Sequence, residues 1–257
     1  MEDSKGGQEE PEHVSAIGGN VNIRKGGEEW FRTLNDRLWL KPDEVGAEEA
    51  AFVMRALRLR SGDRVLDAPC GAGRIAVHLA RSGCKVTGID LRDSFIRRAR
   101  ARFRKERASG MLMVGDLRDM DFEDEFEGVL NWGGSFGYFS DEENYDVLRR
   151  YARALRRGGR LLIDQVNREH VLRHFVREGK EGDVVVHTQW DARRQRILSV
   201  RTSLEGEEFT SVRLYTPAQL RVLFESVGLE VEAAFGRHTG EKHRRSSRRM
   251  ILVGRKE

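Results

Sequence analysis

The stretch that most constrains the fold is Arg64-Val65-Leu66-Asp67-Ala68-Pro69-Cys70-Gly71-Ala72-Gly73-Arg74, read together with Lys85-Val86-Thr87-Gly88-Ile89-Asp90 further on. An apolar run feeds an acidic residue and then a glycine turn. Ile75-Ala76-Val77-His78-Leu79-Ala80 follows as a helix opening, and the second β-prone run ends on a carboxylate. Strand, glycine turn, helix and a strand ending in Asp is the plan of a βαβ unit that holds a nucleotide-like ligand. Glycine, lacking Cβ, lets the chain turn sharply and lets a ligand approach the backbone. Asp90, at the tip of the second strand, can accept both hydroxyl protons of a ribose.

The choice of ligand rests on charge. Gly71-Ala72-Gly73-Arg74-Ile75-Ala76 also satisfies the dinucleotide fingerprint G-x-G-x-x-A. Asp67, just ahead of the turn, would repel a pyrophosphate lying on the helix N-terminus. It would attract a ligand carrying an ammonium and a sulfonium there. S-adenosylmethionine (SAM) carries both and has no phosphate.

Val65 to Arg74 resembles the first motif of the class I SAM-dependent methyltransferases, an apolar pair followed by D-x-x-C/G-G-x-G. Asp90 matches that family's acidic residue after strand two. Met113-Val114-Gly115-Asp116-Leu117 resembles its adenine-flanking segment, and Leu155-Arg156-Arg157-Gly158-Gly159-Arg160-Leu161-Leu162-Ile163 its L-K-P-G-G-x-L, with Arg157 where proline is usual. The match runs from about Ala47 to Asn167 and becomes looser toward the end of the sequence. The resemblance implies a doubly wound, Rossmann-like α/β domain with a seven-stranded sheet. It also implies SAM as cofactor, no metal, and cofactor contacts from Trp30, Asp67, Ala68, Gly71, Gly73, Asp90, Leu91, Asp116, Leu117, Asn131 and Trp132. Within it, Cys70 packs beside the cofactor and is not a nucleophile.

In chain order, residues 1–27 are rich in Gly and Glu without hydrophobic periodicity and read as a flexible tail. Residues 28–257 read as the methyltransferase domain. Glu28 to Leu40 carries Trp30, Phe31, Leu34, Leu38 and Trp39 at helical spacing; this reads first as an outer helix packed on the sheet, while the resemblance offers a lid helix over the cofactor, from which Arg32 or Arg37 could meet the SAM carboxylate. Glu48 to Leu59 reads as the next helix, with Phe52, Val53, Ala56 and Leu57 as its buried stripe. Ser94 to Arg107 is studded with arginines, yet Phe95, Ile96, Ala99 and Phe103 share one face. With a net formal charge of only +4, the arginines read as a solvated face, and nucleic acid is not the expected partner.

Glu127 to Trp132 reads as strand four and Gly133 to Phe139 as the loop after it, which puts Asn131, Trp132, Phe136 and Tyr138 where open α/β sheets bind ligands. Asp141, as N-cap, opens a helix to Leu155, and Arg160 to Gln165 is strand five. Residues 182–215 then read as an inserted β cap: Val184 to Trp190, Ile197 to Leu204 and Phe209 to Tyr215 alternate around short polar connectors. Its apolar face must be buried against its own domain or against a second subunit, a homodimer through the cap. Thr216-Pro217 starts the last helix, and Leu229 to Phe235 with Met250 to Val253 closes the sheet. Two cysteines only, Cys70 and Cys84, fit a reducing, cytoplasmic setting, and no apolar run is long enough to span a membrane.

The expected activity is transfer of a methyl group from SAM to nitrogen or oxygen of a small-molecule acceptor. The junction Ser211 to Pro217 resembles that of bacterial and archaeal aminosugar N-methyltransferases, in which a small sheet caps the acceptor pocket. Tyr138, His170 and His187 are the polar candidates for catalysis, Tyr138 and His187 foremost. The competing readings are an RNA or protein methyltransferase docking through 97–107 and 242–249, a nicotinamide oxidoreductase, and a SAM-binding protein without transfer activity.

Overall fold

The computed structural model describes residues 44–257 apart from residue 205, together with Ser15, Ala16, Gly19, Asn20, Asp36 and Leu40. Ser15–Ala16 and Gly19–Asn20 form a two-stranded pair. The expected tail and most of the expected helix from Glu28 to Leu40, including Trp30, Arg32 and Arg37, lie outside the described residues.

From there the elements are α1 (Gly46–Leu57), β1 (Arg64–Asp67), α2 (Ala76–Arg81), β2 (Lys85–Asp90), α3 (Asp93–Lys105), β3 (Gly110–Val114), β4 (Phe126–Asn131), α4 (Asp141–Ala154) and β5 (Leu155–Val166). There follow α5 (Arg168–Arg173), β6 (Glu178–Glu181), β7 (Val184–Asp191), β8 (Arg196–Ser203), β9 (Gly206–Arg213), α6 (Pro217–Ser226), β10 (Leu229–Phe235) and β11 (Arg249–Lys256). Among the described residues the main sheet has seven strands in the order β10-β11-β5-β4-β1-β2-β3. The five strands β1 to β5 pair in parallel, and β11 runs antiparallel between β5 and β10.

Helices cover both faces, and so the central strands are near-continuous apolar runs. Successive residues point to opposite sides. Leu66, Val129 and Ile163 pack with Leu148, Tyr151 and Phe224 on one face, whereas Val65, Leu130 and Leu162 pack with Phe52, Val53, Leu57 and Ile96 on the other. The buried stripe of α3 is Phe95, Ile96, Ala99 and Phe103, as its periodicity predicts. Gly73 is required where α2 meets α3: its φ is +73°, and a Cβ there would come within 3.0 Å of the Ala99 Cβ.

Three local readings change. The N-cap of α4 is Ser140, whose hydroxyl accepts from Glu143 N while Glu143 accepts from Ser140 N, a reciprocal capping box. Asp141, the residue read as the cap, is the first helical residue and pairs with Arg213. Strand five begins at Leu155 rather than Arg160, because Leu155 already pairs with Phe126 of β4, the register then shifting so that Arg160 pairs with Gly128. The inserted sheet has a fourth strand, β6, whose Glu-Gly-Lys-Glu sequence carries no apolar alternation; the insertion therefore starts at Glu178.

The insertion is an antiparallel sheet in the order β9-β8-β7-β6. Ser199 lies opposite both Thr188 and Thr210, and Ile197 opposite Trp190 and Val212. The chain then re-enters the main domain through α6, where Thr216 and Gln219 form a second capping box with Pro217 in the first turn. Among the described residues no helix is long and apolar enough to cross a membrane.

Candidate functional site

A cavity of about 560 Å³ opens at the carboxyl ends of the parallel strands and continues beneath the inserted sheet. Its floor is acidic. Asp67 ends β1, Asp90 ends β2, and Asp116 follows β3; all three line the cavity. The Asp90 carboxylate is fixed by two backbone donors, Gly71 N at 2.9 Å and Arg92 N at 3.0 Å, one to each oxygen. A second lone pair on each oxygen is left for a ligand. Burial raises the Asp90 pKa, and those two donors partly offset it.

Asp67 is 2% exposed. Burial, and secondarily the Asp90 charge, pushes its carboxyl up to about 8, with Arg74 pulling the other way. Arg74 is itself paired with Glu49, which also accepts from Trp132 Nε1 at 3.2 Å. Two buried carboxylates side by side are costly, and a cation between them would relieve both. This is the charge demand that an ammonium or sulfonium group meets.

Asp116 is the most fully committed of the three. Its Oδ1 accepts from Arg118 N at 2.9 Å and Arg118 Nε at 3.0 Å, and its Oδ2 accepts from an Arg118 terminal nitrogen at 2.6 Å. Arg118 continues to Glu143 at 2.9 Å and lies over the Phe139 ring. Leu91, Leu117, Phe95 and Ile75 give the same half of the cavity its apolar walls, with Leu40 reaching it from the N-terminal side. Asp36 holds that side down through Arg92 at 2.6 Å and Ser94 Oγ at 3.0 Å.

The other half is built differently. Tyr138, Phe139, Val166, Val171 and Arg249 line it from the main domain, and Ile197, Ser199, Arg201, Thr210 and Val212 from the inserted sheet. These cap residues follow the period-2 rule, odd positions on β8 and even on β9, so register alone puts hydroxyls and a guanidinium on the cavity side. Asp164 anchors the loop after β4, accepting from Gly133 N at 2.9 Å and from Arg249 Nε at 2.7 Å. Tyr138 is half-buried, and desolvation pushes its hydroxyl up to about 12 even though Arg201 and Arg249 act to lower it. The hydroxyl is therefore protonated at neutral pH.

Two arginines join the inserted sheet to the main domain. Arg196 donates to Gly137 O, Tyr138 O and Phe139 O at 2.9–3.1 Å, and to Ser211 Oγ at 2.7 Å and Ser211 O at 2.9 Å. Arg213, 8% exposed, pairs with Asp141 at 3.1 Å. Gly137 has φ +101°, and a Cβ on it would stand 2.3 Å from Arg213 O. Only glycine permits this approach of loop and cap.

Of the residues read from sequence, the structure brings Asp67, Gly71, Asp90, Leu91, Asp116, Leu117, Trp132 and Tyr138 to one cavity. Ala68 and Asn131 stand behind its wall: Asn131 Nδ2 donates to the Tyr151 hydroxyl at 3.0 Å, which donates to Ala68 O at 2.6 Å. Gly73 serves helix packing, as above. His187 is on the cap, 3.7 Å from Glu178, and is not among the cavity's lining residues. His170 lines a different cavity. Sequence reading missed Arg92, Arg102, Ser199, Arg201, Thr210 and Arg249. Their signal was strand alternation once the cap's register is known, and, for Arg102, its place one residue before the buried Phe103.

Residues 65–159 match a family profile described as a methyltransferase domain. Rat (Rattus norvegicus) glycine N-methyltransferase is 31% identical over 140 residues, 49% of this chain and 48% of that one, so the chain spans about half the length of this curated relative. Among solved structures, the CcbJ methyltransferase from Streptomyces caelestis superposes with a TM-score of 0.72 at 20% identity, covering 87% of this chain and 99% of that one. The sugar N-methyltransferase KedS8 from Streptoalloteichus sp ATCC 53650 gives 0.63 at 20% identity, covering 98% and 100%. Both likenesses are of fold.

Proposed function

We propose that this chain is a SAM-dependent methyltransferase and that it moves the methyl group of SAM to nitrogen or oxygen of a small acceptor. The observation that carries the reading is the single cavity of about 560 Å³ with an acidic floor at the strand tips and a hydroxyl- and arginine-lined roof. Donor and acceptor would share one space, with no other element between them among the described residues.

SAM, when bound, supplies an electrophilic methyl group on a sulfonium. The chain's residues hold and orient. Asp90 takes the ribose hydroxyls on the lone pairs its two backbone donors leave open. Asp67 stands at the cationic end, Asp116 and Leu117 at the adenine. The roof excludes water and sets the acceptor in line, which is where such a transfer gains its rate. Tyr138 donates a hydrogen bond and leaves the acceptor's own lone pair as the nucleophile. Arg201 and Arg249 disfavour an ammonium nearby, so an amine acceptor is favoured in its neutral, reactive form.

The relatives named above as acting on glycine and on a sugar support an amine acceptor. The arginines of α3 give little to a polymer-docking surface: Arg97 pairs with Asp93, Arg98 with Asp36, Arg100 donates to Leu112 O, and Arg102 lines the cavity. The test is calorimetry with SAM and with NAD, followed by transfer from labelled SAM to a panel of small amines and alcohols. SAM binding with transfer to a member of the panel is expected. Binding of NAD in place of SAM would overturn the reading.

A further inference from the structure

Most arginines of this chain's surface are paired: Arg64 with Glu125, Arg81 with Glu106, Arg153 with Asp121 and Glu123, Arg160 with Glu232. Others are not, and four unpaired cations are gathered in one place. Arg237, Lys242, Arg244 and Arg248 all belong to the segment between β10 and β11, and among the described residues no carboxylate lies within ion-pair distance of any of the four. They line one cavity of about 460 Å³ together with His170, Ser246 and Ser247, and its only carboxylate is Glu241.

The segment is held in shape by its backbone. Asn167 Nδ2 donates to Arg244 O, Arg245 O and Ser247 O, and Asn167 N donates to Arg248 O at 3.0 Å. Arg244 N donates to Ser247 Oγ at 2.9 Å. The side chains of Arg244 and Arg248 take no part in this scaffold, so four cations are gathered by a fixed frame that does not need their charge. Two buried imidazole nitrogens nearby, His170 Nδ1 and His243 Nε2, have no hydrogen-bond partner among the described residues. Four cations gathered around a single carboxylate leave an excess of like charge, and a multiply charged oxyanion is the ligand that offsets this and offers acceptors to both guanidinium forks and hydroxyls.

We propose that this cavity is a binding site for the phosphate or pyrophosphate group of a small molecule, distinct from the donor and acceptor cavity. The two are back to back: α5 gives His170 to one and Val171 to the other, and Arg248 faces the first while Arg249 lines the second. The site is of the size that takes a small molecule.

His170 reports on it. Its imidazole is held low by burial first and then by His174 and Arg173 of its own helix and Arg248 across the cavity, with the Ser246 backbone opposing. An anion bound among these groups must raise it.

The probe is inorganic pyrophosphate, with inorganic phosphate as the second arm, titrated into the full chain at an ionic strength of about 0.15 M. Calorimetry and phosphorus NMR follow binding, and imidazole NMR follows His170, whose resonance is assigned with His170→Gln. One saturable site is expected, with the His170 titration moved to higher pH. Arg244→Gln with Arg248→Gln should weaken it roughly tenfold or more, the range for losing charge-assisted hydrogen bonds. Arg97→Gln with Arg104→Gln removes the same charge from α3 and should leave it unchanged. Tighter binding of pyrophosphate than of phosphate would assign the site to a diphosphate; the reverse would assign it to a single phosphoryl group. Absence of saturation, equal weakening by both double variants, or single-stranded RNA binding through these residues more tightly than pyrophosphate would overturn the proposal. None of these readouts involves methyl transfer, so the proposal fails or holds independently of the reading above.

Discussion

The two halves of the cavity are made by different means. The donor half is a product of topology. Parallel strands buried on both faces must end at one edge, and the residues that end β1 and β2, Asp67 and Asp90, are there because of chain direction and crossover. The acceptor half is a product of register. The cap is antiparallel and half-solvated, so each side chain's place depends on which residue of β8 faces which of β9, and a one-residue slip would replace Ser199, Arg201 and Thr210 by their neighbours. The first half can therefore be preserved by a short motif, whereas the second is open to change at each position. The seam between cap and main domain is correspondingly well secured, by Arg196, Arg213 and the close approach at Gly137.

The largest effect expected from that division comes from removing the cap. Replacing residues 178–213 by a Gly/Ser linker should abolish transfer to the acceptor while SAM affinity falls much less, because the acidic floor belongs wholly to the main domain. Labelled-SAM transfer and calorimetry on the folded variant measure the two. Transfer at the normal rate would show that the cap does not shape the pocket.

At the floor, Asp90→Ala should weaken SAM by about 1.5–3 kcal/mol, the range for losing a charged hydrogen-bond partner. At the seam, Arg196→Gln should raise the acceptor KM and lower kcat with SAM affinity nearly unchanged, since all its partners are in the loop and cap. If the two variants gave the same profile, the halves would not be separable.

The floor also carries a pH signature. The Asp67 carboxyl, at about 8 in the folded chain against an ordinary value of 3.8, stays protonated where the unfolded chain has already ionised. The folded state then binds the extra proton, so stability without ligand should fall as pH rises from about 4 to about 8 and level off beyond. Thermal melts of the chain and of Asp67→Asn check this; the variant should lose the slope. SAM, whose cationic groups favour the ionised carboxylate, should bind more tightly as pH rises through that window.

The same division explains what could be read from the chain alone. Val65 to Arg74 and Lys85 to Asp90 are each contiguous, and their chemistry follows from local pattern. The alternation of Val184 to Tyr215 announced a meander but not its register, nor the polar strand Glu178–Glu181 that completes it. Asn131 and Ala68 were adjacent in sequence to cavity residues, yet the buried hydroxyl of Tyr151, far along the chain, claims both. Ser140 and Asp141 are equally good caps by residue type; Arg213, 72 residues on, takes Asp141 for another purpose. Where a role depends on a partner distant in sequence, residue type does not reveal it.

The smallest effect is expected at Asp116, and it separates the adenine end from the ribose end. By position Asp116 matches Asp90, a carboxylate following a parallel strand. Its surroundings differ. Asp90 is met by two backbone donors, one on each oxygen, while Arg118 reaches both oxygens of Asp116 with three bonds. Much of the Asp116 charge is already spent on the guanidinium, so a ligand amino group gains less from it than from an unneutralised carboxylate. Asp116→Asn keeps one accepting oxygen, for Arg118 N or for the adenine, and replaces the other by an amide donor, with loss of the ion pair. SAM affinity should fall by no more than about 1 kcal/mol, the net worth of a neutral hydrogen bond. An effect as large as that of Asp90→Ala, measured by the same calorimetry, would mean that Arg118 swings away when the cofactor binds. The double variant with Arg118→Met would then restore part of the loss, because the unpaired cation beside the adenine would be gone.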